Sequence, residues 1–172
     1  HFDHIMGATM ERQGRRVPTF PRARYLLLQE EWTGAPDREQ PQSAFHLHLP
    51  VLQEHHCLEL IPGEYEIAPG IRMIPAPGES PGHAIIRMES EEKTAFYLGD
   101  LFHHPAEVAH LDWTPRFRDR ERLLASRKAL VQEALGTDAL LISAHMLFPG
   151  LGKLRQQQGG VEWVAMKPGP EG

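Results

Sequence analysis

Histidines and aspartates recur along this sequence in short motifs that could bind metal ions. Eleven of the 172 residues are histidine, and the chain opens with His1, Asp3 and His4. Two imidazoles and a carboxylate within four residues can converge on one centre only where the backbone turns, as a loop entering a helix does. Nitrogen and oxygen ligands without a thiolate suit Zn²⁺, Mn²⁺ or Fe²⁺.

Three further candidate ligands each stand at the end of a predicted strand or loop. His83 ends a rigid Pro/Gly loop (PAPGESPGH), Asp100 follows the strand segment TAFYL, and His145 follows the apolar segment ALLIS. Loops at strand ends are where a rigid scaffold usually holds catalytic groups. One aspartate can reach two metals in dinuclear hydrolytic sites, where the ions lie about 3.5–4 Å apart. The pattern therefore indicates a metal-dependent hydrolytic centre.

In this order the motifs resemble those of the metallo-β-lactamase superfamily, whose signature is HxHxDH, then a distant His, an Asp and a last His. His1 corresponds to the second His of HxHxDH, so the first two signature positions would precede the chain. The segments APGESPGH, YLGDLFHHP and SAHMLFPGLGKL resemble the PGHTPGH loop, the GD loop and the AHFPFPGLG ending found in that superfamily. The resemblance covers essentially the whole chain and points to the lactonase and methyl parathion hydrolase-like branch.

The resemblance implies an α/β (α+β) fold, the metallo-β-lactamase αβ/βα sandwich, in which two sheets pack face to face. Residues 1–172 would form a single domain that is incomplete at the N-terminus, with the N-terminal sheet missing. Unburied apolar surface costs about 25 cal/mol per Å². We therefore expect 1–172 to be a fragment that alone aggregates or binds metal poorly, which could leave it inactive.

The resemblance also implies which ligands each metal takes. His1 and His83, with a histidine upstream of the chain, would bind the first of two divalent ions. Asp3, His4 and His145 would bind the second. Zn²⁺ is the favoured ion, and Mn²⁺ or Fe²⁺ would also accept these ligands.

Asp100 would bridge the two ions, and a hydroxide held between them would be the nucleophile. Metal coordination lowers the pKa of water towards about 7 from about 15.7. One ion would also stabilise the charge that develops on the substrate oxygen. The residues implied in catalysis are Asp3, Asp100 and His103, of which His103 would contact the substrate or a carboxylate.

Two positions depart from the superfamily pattern. Glu79 stands where the family loop often has a histidine that is not usually a ligand. His103 stands three residues after Asp100, where acyl-homoserine lactonases typically have a tyrosine. The second departure favours a broader ester, lactone or phosphotriester hydrolase over a dedicated lactonase. A glutathione-binding helical region, as in glyoxalase II, is not evident.

The leading hypothesis is a dinuclear-metal-dependent hydrolase of a small ester, lactone or related electrophile. The alternative is a non-catalytic metallo-β-lactamase-like binding or structural module. A nuclease is disfavoured, because the net charge is -5 and the sequence lacks a basic, aromatic surface. We expect a small-molecule substrate, no nucleic acid and no membrane partner, and leave a homodimer open. The single cysteine is compatible with a cytoplasmic location, although a signal peptide upstream stays open.

The elements that would position these residues are mostly short strands between Pro/Gly turns. A short helix is predicted over 3–12, a loop over 34–44 and a helical turn over 51–56. Strands are predicted over 24–29, 58–61, 65–68, 71–74, 83–88, 94–98 and 139–143, with a hairpin over 153–166. The best helix spans 118–135, with Asp119 as N-cap and Gly136 as its end. His46 and His48, at strand-like spacing, are not expected to be ligands, and Phe148 is a pocket candidate.

Overall fold

The computed structural model describes residues 2–167, with side chains from His4 onwards, and divides into two compact units. The first unit comprises His1–Gly63 and Ser80–Gly82. The second comprises Glu64–Glu79 and His83–Gly172. Each unit has its own hydrophobic cluster.

The first unit begins with a 3-10 helix, Phe2–Ile5, and an antiparallel hairpin of β1 (Thr9–Arg12) and β2 (Arg15–Pro18). The predicted helix over 3–12 is therefore wrong beyond its first turn. Gln13 and Gly14 both have positive φ, which is the conformation that turns a tight hairpin. The apolar side chains that suggested an amphipathic helix, Met6 and Met10, are exposed.

Two parallel strands and the helices beside them complete the first unit. The strands are β3 (Tyr25–Leu28) and β4 (Leu58–Ile61). They are accompanied by α1 (Gln29–Gly34), a 3-10 helix (Pro36–Glu39) and α2 (Ala44–Glu54). The helix α2 begins well before the predicted turn at 51. It includes His46 and His48, which therefore lie on a helix and not on a strand. Phe45, Leu49 and Leu52 repeat at helical spacing and fill the core of this unit.

The second unit is built on a seven-stranded sheet in the order β11-β10-β9-β8-β7-β6-β5. Its strands are β5 (Tyr65–Ala68), β6 (Ile71–Pro75), β7 (Ala84–Ser90), β8 (Lys93–Tyr97), β9 (Leu140–Ile142), β10 (Leu151–Gln157) and β11 (Gly160–Ala165). All neighbours are antiparallel except β8 and β9, which are parallel. The strands and the terminal hairpin predicted here are confirmed.

Two helices belong to the second unit, α3 (Pro105–Ala109) and α4 (Arg120–Gly136). The helix α3 is not among the predicted elements. The helix α4 and its N-cap are confirmed, because Asp119 accepts a hydrogen bond from the Arg122 backbone. Gly136 lies inside α4, and the left-handed residue after it is Asp138. The helix α4 is part of the crossover that makes β9 parallel to β8. The mixed α/β fold class is as predicted.

The core of the second unit is nearly free of solvent. It is formed by strand and helix side chains that include Phe96, Leu98, Leu123, Leu130 and Leu141. Within residues 2–167, none of the helices has the length and hydropathy of a membrane span.

Candidate metal centre

Asp100 and His145 lie side by side because they occupy equivalent places on parallel strands. Tyr97 ends β8 and pairs with Ile142, which ends β9, and each candidate ligand is the third residue beyond. The two chains leave the sheet at the same end, and His145 Nε2 comes within 2.8 Å of Asp100 Oδ1. Asp100 is buried and His145 is partly exposed, so the pair opens towards solvent on the histidine side.

His83 is held in one orientation by hydrogen bonds to both ring nitrogens. Its Nδ1 lies 2.9 Å from the carbonyl oxygen of Ala76, which can only accept, so Nδ1 donates. Its Nε2 accepts the backbone N–H of Asp100 at 3.0 Å. Both contacts select the neutral tautomer with its lone pair on Nε2, and a carbonyl behind a ligating histidine fixes that tautomer in metal sites. That lone pair accepts the Asp100 N–H here, so His83 would have to give up this hydrogen bond to bind a metal through Nε2.

Gly99 makes room for this arrangement. A Cβ at this position would lie 2.9 Å from His83 Nε2, closer than real Cβ contacts come. Its φ of +52 is also a conformation that side chains other than glycine rarely adopt. Any larger residue here would push against the His83 ring.

His103 lies beside His145, with the ring centroids 4.7 Å apart. Its position is set from behind by Glu107 of α3, whose Oε2 accepts the His103 backbone N–H at 2.6 Å. The same carboxylate takes part in a capping box with His104 at the start of the helix. His103 thus stands on a short, capped helical turn with its imidazole partly exposed.

Arg127 supports that turn from inside the core. It is fully buried, and its Nη2 pairs with Glu107 Oε1 at 3.0 Å. Its Nε donates to the carbonyl of Leu101, and its Nη1 donates to the carbonyl of Trp113. The guanidinium also lies 5.0 Å from the centre of the Phe102 ring. The sequence analysis missed Arg127, although its place in the apolar stripe of α4 was a signal, since a charge there must have a partner.

Glu79 is a second residue whose place the sequence analysis did not foresee. Its side chain is 2% exposed, and its Oε1 pairs with Arg118 Nη2 at 2.7 Å. A carboxylate oxygen of Glu79, a carboxylate oxygen of Asp100 and a ring nitrogen of His103 all lie within 4.8 Å of one another. The loop position where the family often has histidine therefore carries a buried carboxylate beside Asp100.

The other predicted site residues are not tested by the structure. His4 is exposed at the end of the 3-10 helix Phe2–Ile5, and Asp3 lies in the same helix without a described side chain. His1 lies outside the described residues. Their roles as ligands, and that of Asp3 in catalysis, stay predictions. Phe148 is 88% exposed, and its role in a pocket also stays a prediction.

The donors assembled in the second unit fit a divalent cation. They are imidazole nitrogens and carboxylate oxygens, without a thiolate, since Cys57 is buried in the core of the first unit. This donor chemistry suits Zn²⁺, Mn²⁺ or Fe²⁺. His83 is in the tautomer that a metal ligand needs, and the buried Asp100 carboxylate lies against His145.

Comparison with known proteins points in the same direction. No known family profile matches the chain. An N-acyl homoserine lactonase of Bacillus thuringiensis is 28% identical over 98 residues, which are 57% of this chain and 33% of the lactonase.

Solved structures match over more of the chain. AidC, a dizinc quorum-quenching lactonase in complex with a product, has a TM-score of 0.69 and 22% identity, over 89% of this chain and 58% of its own. The hydrolase AbOPH of the β-lactamase superfamily has a TM-score of 0.71 and 14% identity, over 90% and 58%. A probable metal-dependent hydrolase from Staphylococcus aureus has a TM-score of 0.70 and 20% identity, over 88% and 55%.

These relatives are longer than the chain, which covers less than two thirds of each of them. The likeness to the solved structures extends over about nine-tenths of the chain. It shows that the chain has the metallo-β-lactamase fold that its motifs predict.

Proposed function

We propose that this chain is part of a metal-dependent hydrolase that cleaves a small ester, lactone or related electrophile. The observation that carries the proposal is the convergence of Asp100 with His145 and His83 at one end of the second unit's sheet. The relatives support the reaction class, because they include lactonases and one of them is described as dizinc.

Two divalent ions bound here would make water nucleophilic near neutral pH and would stabilise the negative charge of the reacting oxygen. Zn²⁺ is the ion we favour, because AidC is described as a dizinc enzyme. Asp100, His145 and His83 are the proposed ligands in the second unit. His1, Asp3 and His4 stay predicted ligands.

The chain's own residues would orient the substrate. His103 stands at the position where the lactonases that the motifs resemble have a tyrosine, and its partly exposed ring lies against His145. From there a ring N–H would donate a hydrogen bond to a substrate oxygen. Its backbone is fixed by Glu107, so the ring is positioned before the substrate arrives. A homodimer and a cytoplasmic location stay predictions.

The proposal is tested with the protein in its full natural length. Its metal content is measured together with hydrolysis of an acyl-homoserine lactone, an aryl ester and a phosphotriester. Asp100→Asn should lose metal and reduce hydrolysis by at least about a hundredfold. Asp112→Asn is the matched control, because Asp112 is an exposed aspartate that pairs with Arg120. Equal activity in both variants would end the proposal, and metal binding without hydrolysis of any substrate would favour a non-catalytic module.

A further inference from the structure

The carboxylate of Glu79 is placed unusually for a residue with a purely structural role. Its side chain is 2% exposed and that of Asp100 is 5% exposed, so two carboxylates are buried close together. Their ligand oxygens lie within 4.8 Å of each other and of a ring nitrogen of His103. Like charges at this separation inside a protein disfavour the ionised state of both, unless a positive charge lies near them.

Arg118 supplies one such charge, because its Nη2 lies 2.7 Å from Glu79 Oε1. An ionised carboxylate has two oxygens and about four lone-pair positions. An ion pair with a guanidinium therefore does not prevent the same carboxylate from binding a metal. The Arg118 guanidinium also lies 4.8 Å from the centre of the Phe117 ring.

We propose that Glu79, Asp100 and His103 together bind one of the divalent cations of this site. The inference rests on the proposed function, since it concerns the same metal centre. It adds Glu79 as a ligand, at the loop position where related sequences often have a non-ligating histidine. It also adds His103, at the position where lactonases have tyrosine. The cation at this place would have two oxygen ligands and one nitrogen ligand from these residues.

This ligand set has a consequence for metal choice. Carboxylate oxygens suit Mn²⁺ better than imidazoles do, whereas imidazole suits Zn²⁺. Loss of Glu79 should therefore weaken Mn²⁺ binding more than Zn²⁺ binding. A carboxylate that served only to hold Arg118 would give no such difference between the two metals.

The test measures dissociation constants for Mn²⁺ and Zn²⁺ on metal-free, natural-length protein by equilibrium dialysis, with the Mn²⁺ electron paramagnetic resonance spectrum recorded in parallel. Glu79→Gln should raise the Kd for Mn²⁺ by at least about tenfold. It should change the Mn²⁺ spectrum and affect Zn²⁺ less. Glu133→Gln is the matched control, because Glu133 also pairs with an arginine, Arg87, on the surface of the same unit.

A second variant guards against loss of the fold. Glu79→Asp keeps the charge opposite Arg118 but shortens the reach, and it should also weaken Mn²⁺ binding while the thermal melt of the metal-free protein changes little. If both Glu79 variants bind Mn²⁺ as the control does, the inference is wrong, even if the protein hydrolyses its substrates. If Glu79 governs Mn²⁺ binding and no substrate is hydrolysed, the inference holds and the proposed function fails.

Discussion

Arg127 offers the sharpest test of how the candidate site is supported. Its guanidinium is fully buried in the core of the second unit and bonds to Glu107, whose other oxygen holds the backbone of His103. It also donates to the carbonyls of Leu101 and Trp113. Replacement by methionine preserves most of the side-chain length and removes the charge and every donor.

The expected loss follows from what remains behind. Removing one partner of a buried ion pair costs about 3–5 kcal/mol, because the other charge is left uncompensated. The side chain of Glu107 is 15% exposed, which places the loss at the lower end of that range. Two strong hydrogen bonds to carbonyls add about 1 kcal/mol each. A total of about 4–5 kcal/mol is a large part of the 5–15 kcal/mol that stabilises a typical domain.

The assay is equilibrium unfolding in urea followed by circular dichroism, with Lys128→Met as the control at an exposed neighbouring position of α4. We expect Arg127→Met to unfold at a much lower urea concentration than the control. The double variant Arg127→Met, Glu107→Gln should lose less stability than the sum of its single changes, because the two residues interact directly. Similar midpoints for Arg127→Met and Lys128→Met would refute the reasoning.

Two further predictions concern other positions. Gly99→Ala should lower metal content, because the new Cβ would lie 2.9 Å from His83 Nε2 and the φ of this residue is positive. Gly63→Ala is the control, because a Cβ there meets open space. Equal metal content in the two variants would contradict this prediction. Burial, and then the charge of Arg16, lower the pKa of His48. As pH falls, His48 therefore binds a proton in the unfolded chain before it does so in the folded chain. The free energy of unfolding should decrease from about pH 7.5 to about pH 5.5. Urea unfolding midpoints measured at the two pH values check this prediction. His48→Gln should reduce the difference between the two midpoints, and an unchanged difference would count against the prediction.

The positions of Asp100 and His145 show what the sequence could predict. Both follow apolar, β-rich segments that form strands, and the long helix between them implies the parallel crossover that brings their ends together. His83 follows a Pro/Gly loop whose stiffness is visible in its composition. The local sequence pattern was thus enough to predict that these residues stand at the ends of strands or loops. Their role as metal ligands stays a prediction.

Arg127 and Glu79 show what the sequence could not. A short stretch of sequence does not show which residue a charged side chain will pair with. The carbonyl partners of Arg127 lie 14 to 26 residues away along the chain. Glu79 pairs with Arg118 across 39 residues, so the departure from histidine looked tolerable rather than functional. The helix expected over 3–12 is wrong because helical spacing alone did not show which side chains are buried. Ile5 packs against the core of the first unit, whereas Met6 and Met10 are exposed.

Anomalous X-ray diffraction at the zinc edge, from crystals of the natural-length protein grown with Zn²⁺, would locate the ions of the proposed centre. We expect two peaks about 3.5–4 Å apart, with Asp100 touching both ions and His83 and His145 among the further ligands. An absence of peaks beside Asp100, or peaks only at surface carboxylates, would contradict it.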